Sequence, residues 1–169
     1  MVAATLLEID TWFNEPGLNL ERTNLLSKLA TIELCGWLEE EFDRLIRLVA
    51  NGRVSDVTWV QTEVIENTFG FVYAKHWRAM LCKVVGEVFA RRVEAAVDAA
   101  NPSDLQQMKT LLGQLWKDRC SFAHADLNAN RANTQLTFNA PSVAISRHNQ
   151  LKAILSRYET ALVGVMTTV

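Results

Sequence analysis

The longest regular apolar pattern in the chain runs from about Leu20 to Ala50 and repeats every three or four residues. Its clearest members are Leu34, Leu38, Phe42, Leu45 and Val49. This spacing predicts an amphipathic helix, and Asn51-Gly52 supplies a typical helix end. A helix of about 30 residues needs tertiary packing to bury its apolar face, so the chain is expected to fold as a helical bundle.

The remaining sequence also favours an all-α fold. The chain has 169 residues, of which 49% are hydrophobic, and it contains only 7 glycines and 3 prolines. Such a composition is typical of helices. Further apolar patterns predict a short helix over Thr5 to Phe13 that packs as a lid, and longer helices over Ser55 to about Thr68, Tyr73 to Asp98, Ser103 to the region of Arg119, and Arg147 to Met166. We therefore predict an up-and-down bundle of about five helices, in a single domain over residues 1–169.

A long loop is expected before the last helix. Residues 126–146 are rich in Asn and Ala, and Leu136, Phe138 and Pro141 interrupt any helical pattern. Loops of this length are uncommon in compact domains and are often functional. We expect this segment to act in function or to be ordered by a partner.

Charge and cysteine content narrow the expected partners and location. The net charge of −2 gives no broad basic face of the kind that binds long duplex nucleic acid, so any nucleic-acid contact should be local. Cys35, Cys82 and Cys120 lack metal-ligand spacing, which favours a reducing, cytoplasmic setting. We expect no membrane association, because no signal peptide and no run of roughly 18–20 apolar residues is present.

A cluster of polar residues lies where the penultimate helix ends, in Lys117-Asp118-Arg119-Cys120-Ser121-Phe122-Ala123-His124. Arg119 continues the apolar stripe of this helix, which consists of Met108, Leu112, Leu115 and Phe122. Its guanidinium needs an anionic partner, because loss of one member of a buried ion pair costs roughly 3–5 kcal/mol. The partner is either a carboxylate of the protein, for which Glu33 is the candidate, or the phosphate of a ligand.

Arg119 and His124 have the side chains that RNA cleavage without a metal requires. In that reaction the ribose 2′-oxygen attacks the adjacent phosphate, and negative charge builds on the non-bridging oxygens. A guanidinium binds phosphate through two hydrogen bonds, and histidine can move a proton or donate a hydrogen bond near neutral pH. Residues five apart on a helix point about 140° from each other. The two therefore share a site only if the last turn unwinds or if two copies of the helix meet across a two-fold axis.

The arrangement resembles the HEPN superfamily, and within it most closely the RiboL-PSP and MAE-type groups. The resemblance rests on the long first helix, Arg-x4-His ending the penultimate helix, FNAPS at 138–142, and RYETAL at 157–162 in the last helix. It implies a metal-independent endoribonuclease without a cofactor, in which Arg119 and His124 are catalytic and a homodimer joins the two motif helices. It also implies a toxin–antitoxin or phage-defence context, with an antitoxin or regulatory protein as partner.

Other residues are candidates for binding RNA. Lys117 and Ser121 lie close to the motif arginine in sequence, although Lys117 also fits a solvated surface charge. Lys75, His76 and Arg78 stand beside aromatic residues that can stack on bases, and the same run also fits the amphipathic start of a helix.

Two alternatives to the nuclease remain open. Cys120 follows the motif arginine where many HEPN proteins carry Asn, Asp or His, which favours a non-catalytic RNA-binding or dimerisation module. A purely structural bundle, in which Arg119 pairs with Glu33, is the second alternative.

Overall fold

In a computed structural model, which describes residues 2–124 and 139–167, every regular element is a helix. The seven helices of this described part are α1 (Val2–Phe13), α2 (Leu20–Ala50), α3 (Val57–Trp59, continued as a π-helix over Val60–Ile65), α4 (π-helical over Tyr73–Trp77, then α-helical over Arg78–Val85), α5 (Glu87–Ala100), α6 (Asp104–His124) and α7 (Pro141–Thr167). The all-α class is confirmed. The number of helices is seven, whereas the sequence predicted about five.

The predicted helix from Tyr73 to Asp98 is two helices, because Gly86 separates α4 from α5. Gly86 has φ 81° and ψ 162°, a conformation that residues with a Cβ rarely adopt. Its N–H donates to the carbonyl of Cys82 at 2.9 Å, and its carbonyl accepts from the N–H of Ala90 at 3.2 Å. The apolar spacing continues across this break through Leu81, Val85 and Phe89. The periodicity of the apolar residues alone therefore does not show the break between α4 and α5.

The last helix, α7, begins at Pro141, six residues before the predicted start at Arg147. Proline suits the first turn of a helix, since its φ is already helical and that position needs no N–H donor. Pro141 and Ala144 are buried, so this segment packs as helix and does not belong to the predicted loop. The first part of that loop, residues 126–138, lies outside the described residues.

The chain divides into two compact units, and the first consists of Met1–Trp37 with Gln114–Gln150. It contains α1, the N-terminal half of α2, the end of α6 and the start of α7. Trp37 on α2 meets the buried His148 of α7 edge-on, with ring centroids 4.6 Å apart. All four segments contribute to its core, which includes Leu6, Ile9, Leu26, Ala30, Leu34, Cys35, Leu115, Phe122 and Ala144.

The second unit consists of Leu38–Gly113 with Leu151–Val169. In its core Trp77 stacks on Phe42 with ring centroids 4.8 Å apart, and it meets Tyr158 edge-on at 5.6 Å. All three side chains are completely buried. Because aromatic residues bury large apolar areas, this cluster is a main source of the unit's stability. The organisation of the whole chain as one domain stays a prediction.

Candidate functional site

Arg119 lies on the apolar stripe of α6, as the sequence predicted. Leu115 and Phe122, about one turn before and after it, are buried, whereas Arg119 itself is half-buried. Its guanidinium carbon lies 5.8 Å from the centroid of the Trp116 ring, which is within the range of a cation–π contact. An arginine in this setting packs its aliphatic stem on apolar surface and keeps its charged head at the edge of it.

Glu33 does not form the ion pair with Arg119 that the structural alternative requires. Both residues are half-buried, and the salt bridges of the described part of the chain do not include one between them. The purely structural interpretation of Arg119 therefore lacks the contact on which it was based.

Asp118, the residue before Arg119, joins α6 to α7. Its Oδ2 accepts a hydrogen bond from Arg147 Nη1 at 2.6 Å, and Asn139 Nδ2 lies 3.5 Å from the same oxygen. The side chains of Arg147 and Asp118 are only 16% and 27% exposed. No local sequence pattern points to this cluster, because its members are up to 29 residues apart and follow no helical spacing. It holds the stretch of α6 that carries the motif arginine.

His124 is the last residue of α6. Its side chain lies outside what the structure describes, and so do residues 125–138. The structure therefore places the backbone of His124 about 1.4 helical turns after Arg119. The shared Arg119–His124 site stays a prediction.

Lys117 and Ser121 are exposed on α6. Each is two positions from Arg119 in the sequence. Residues two positions apart on a helix point about 160° away from each other. Within one copy of the chain these side chains therefore lie on the side of α6 away from Arg119. Their contribution to RNA binding requires RNA, or a second copy, on that side of the helix.

Lys75, His76 and Arg78 belong to the second unit and lie at the start of α4. Lys75 is exposed, but His76 is buried, and its Nδ1 accepts a hydrogen bond from the N–H of Val72 at 2.9 Å. Arg78 Nε donates to Glu94 at 2.8 Å, and this hydrogen bond is the main cause that raises the pKa of Arg78. Because His76 is buried and binds the backbone at the start of α4, and Arg78 joins α4 to α5 through Glu94, the proposed RNA site does not include them.

Arg157, the first residue of the RYETAL segment, binds the start of α6 in the second unit. Its Nε and Nη2 donate to the two carboxylate oxygens of Asp104 at 2.5 and 2.8 Å. The Asp104 side chain is only 2% exposed, and it also accepts a hydrogen bond from Asn101 at 2.8 Å. A two-bond arginine–carboxylate contact of this kind fixes the orientation of both groups.

The next two residues of this segment also contact other helices. The Tyr158 hydroxyl lies 3.4 Å from that of Tyr73, which donates to Glu94 at 2.9 Å. Burial is the main cause that raises the pKa of both tyrosines. Glu159 accepts two hydrogen bonds from Arg44 of α2, at 2.6 and 3.0 Å. In this structure the segment that contributes to the HEPN resemblance connects helices of the second unit.

In comparisons with known proteins, no family model, no curated protein and no solved structure matches this chain. The resemblance to HEPN proteins thus rests on the residues quoted above. None of the described helices is long and apolar enough to cross a membrane. Within the described residues, no group of three or more His, Cys, Asp and Glu side chains is arranged to hold a metal ion.

Proposed function

We propose that this protein is an endoribonuclease in which Arg119 binds the scissile phosphate and His124 assists at the same phosphate. The observation that carries the proposal is the position of Arg119, half-buried on the apolar stripe of α6 and beside Trp116. Low local dielectric strengthens the attraction between a guanidinium and a phosphate. The neighbouring Trp116 ring gives a base a surface on which to stack.

The proposed reaction uses only RNA and these two side chains. The ribose 2′-oxygen forms a bond to phosphorus while the bond from phosphorus to the 5′-oxygen breaks. The products are a 2′,3′-cyclic phosphate and a free 5′-hydroxyl. The 2′-hydroxyl loses a proton and the leaving oxygen gains one; His124 is the residue that we assign to proton transfer. Arg119 stabilises the charge on the non-bridging oxygens.

A homodimer is part of this proposal. Arg119 and His124 diverge by about 140° on a regular helix, so one copy of α6 does not bring them to one phosphate. Two copies of α6 that meet across a two-fold axis bring Arg119 of one copy toward His124 of the other. Each dimer would then contain two motif arginines and two motif histidines around the RNA.

The test is to incubate the purified protein with labelled single-stranded RNA and tRNA in EDTA and to separate the products on a denaturing gel. We expect the wild type to cleave, and the Arg119→Ala and His124→Ala variants to cleave at least about a hundredfold more slowly. Arg119→Lys keeps the charge but loses the planar fork, so it separates the two contributions. Cleavage by Arg119→Ala at the wild-type rate would refute the proposal.

The second candidate function is a non-catalytic RNA-binding or dimerisation module. It is favoured by Cys120, which is half-buried directly after Arg119 and is a weak hydrogen-bond donor. Retention of RNA that weakens with salt, without any product, would select this candidate.

The cellular context is proposed from the resemblance. We place the protein in the cytoplasm, in a toxin–antitoxin or phage-defence context, with an antitoxin or regulatory protein that restrains cleavage. Expression of the wild type without that partner should slow growth, whereas expression of Arg119→Ala should not. Growth that is equally fast with both would contradict the toxin role.

A further inference from the structure

The first unit has an exposed apolar surface on α2, separate from the motif helix. Leu25, Leu29 and Ile32 are 46%, 37% and 45% exposed. Together with Gly36 they form what we call the α2 seam. Their spacing of four, three and four residues places them in one line along the helix. Gly36 is exposed, with nothing within 4 Å of the position that a Cβ would take. The opposite side of this part of α2 is buried through Leu26, Ala30 and Leu34.

The α2 seam has the spacing of a two-stranded coiled coil, in which each helix covers the apolar line of the other. The end of α6 offers no comparable surface: its exposed described positions in this unit are Gln114, Lys117 and Ser121. Interface cores are depleted of charge and enriched in apolar side chains. The apolar part of a dimer interface is therefore expected on α2, in the same compact unit as the motif helix.

The charges beside the seam indicate its occupant. Lys28 and Glu33 lie on opposite edges of the seam and are five residues apart, about 140° around the helix. In a parallel two-stranded coiled coil, Lys28 of each helix lies beside Glu33 of the other helix. One dimer therefore contains two such contacts. The salt bridges within the described part of one copy include neither residue. In an antiparallel pair, the edge that carries Lys28 would face the same edge of the other copy, and the two lysines would repel each other. The charges therefore favour parallel helices.

We propose that two copies of this chain pack through the α2 seam, related by a two-fold axis parallel to α2, with Lys28 of each copy bound to Glu33 of the other. This inference goes beyond the proposed function, because the α2 seam is a different surface from the end of α6 and pairing through it does not require that the protein cleaves RNA. The seam is short. In this pairing Arg22, three residues before Leu25, would also face Arg22 of the other copy, which is a contact between like charges. We therefore expect a weak dimer that forms as the protein concentration rises.

The first test measures molar mass by sedimentation or light scattering over about a hundredfold range of concentration. The wild type should approach twice the monomer mass, and Leu29→Glu should weaken association at least about tenfold. Leu20→Glu is the matched control, because Leu20 is 76% exposed on the same helix and points about 140° away from Leu25. A wild type that stays monomeric, or a dimer that survives Leu29→Glu, would overturn the proposal.

The second test reverses the charges at the edges of the seam. Lys28→Glu and Glu33→Lys should each weaken the dimer, and the double variant should restore it to near the wild-type affinity. Residues five apart on one helix are not neighbours, so restoration reports a contact between copies. A double variant weaker than either single variant would exclude the parallel arrangement. These measurements need no RNA, so their outcome does not depend on whether the protein cleaves RNA.

Discussion

Asp118 accepts a hydrogen bond from Arg147 at 2.6 Å, and this pair ties the last turns of α6 to the start of α7. Both side chains are mostly buried, so solvent and salt screen their attraction less than at an open surface. Since Asp118 directly precedes Arg119, the pair also fixes the part of α6 on which the proposed RNA site depends.

The Arg147→Ala variant should lower the free energy of unfolding by about 1–3 kcal/mol, because it leaves the Asp118 carboxylate without its main donor. Urea unfolding measures this loss. Lys152→Ala, an exposed site on the same helix, is the control and should change little. A double-mutant cycle with Asp118→Ala should give a coupling energy above about 0.5 kcal/mol. Equal stability of Arg147→Ala and the control would contradict this role.

Arg119→Ala should retain nearly all of its stability while losing RNA cleavage. Arg119 is half-buried and lies against the Trp116 ring, so we expect a loss below about 1 kcal/mol, in the range of a partly exposed cation–π contact. Thermal melting beside the cleavage assay tests both parts. A loss of about 3–5 kcal/mol would show that Arg119 belongs to a buried structural ion pair instead.

Stability should decrease in acid partly through Glu159. Its hydrogen bonds from Arg44 lower the pKa of Glu159 below the ordinary value of 4.5. A lowered pKa in the folded state means that this contribution is complete above about pH 4.5 and is lost as the pH falls through the folded-state value. Both side chains are about a third or more exposed, so the contribution is at most about 1 kcal/mol.

Urea unfolding of the wild type and Glu159→Gln from neutral pH to about pH 3 measures the contribution of Glu159. The difference between the two proteins should be largest at neutral pH and should vanish in acid. Glu8→Gln, at an exposed site on α1, is the control. A difference that grows as the pH falls would show that folding raises the pKa of Glu159 instead of lowering it.

Gly86→Ala should destabilise the fold by about 1 kcal/mol or more, because a Cβ strains the backbone at φ 81°. Gly113→Ala is the matched control. Gly113 lies inside α6, and nothing stands within 4 Å of its added Cβ, so this change should be neutral or stabilise by up to about 1 kcal/mol. Differential scanning calorimetry of both variants measures the contrast. A Gly86→Ala protein as stable as Gly113→Ala would mean that α4 and α5 can join without strain.

Local periodicity predicted most of the helices but not all of their ends. The bounds of α2 agree with the predicted Leu20 to Ala50, since apolar spacing and a terminal glycine are both local signals. The apolar spacing runs across Gly86, so periodicity alone does not show that the predicted helix from Tyr73 to Asp98 is broken there. The start of α7 was placed too late because the loop assigned to the Asn- and Ala-rich stretch was extended to residue 146, although Pro141 suits a first helical turn.

The sequence by itself determined the all-α class, the amphipathic faces, and the position of Arg119 on the apolar stripe of α6, because these depend on residues three or four apart. Only the tertiary structure decided that Arg147 binds Asp118, that Arg157 binds Asp104, and that His76 is buried. The first two contacts join residues 29 and 53 positions apart. Such contacts depend on which helix faces pack together, and the spacing of residues along one helix does not specify this packing.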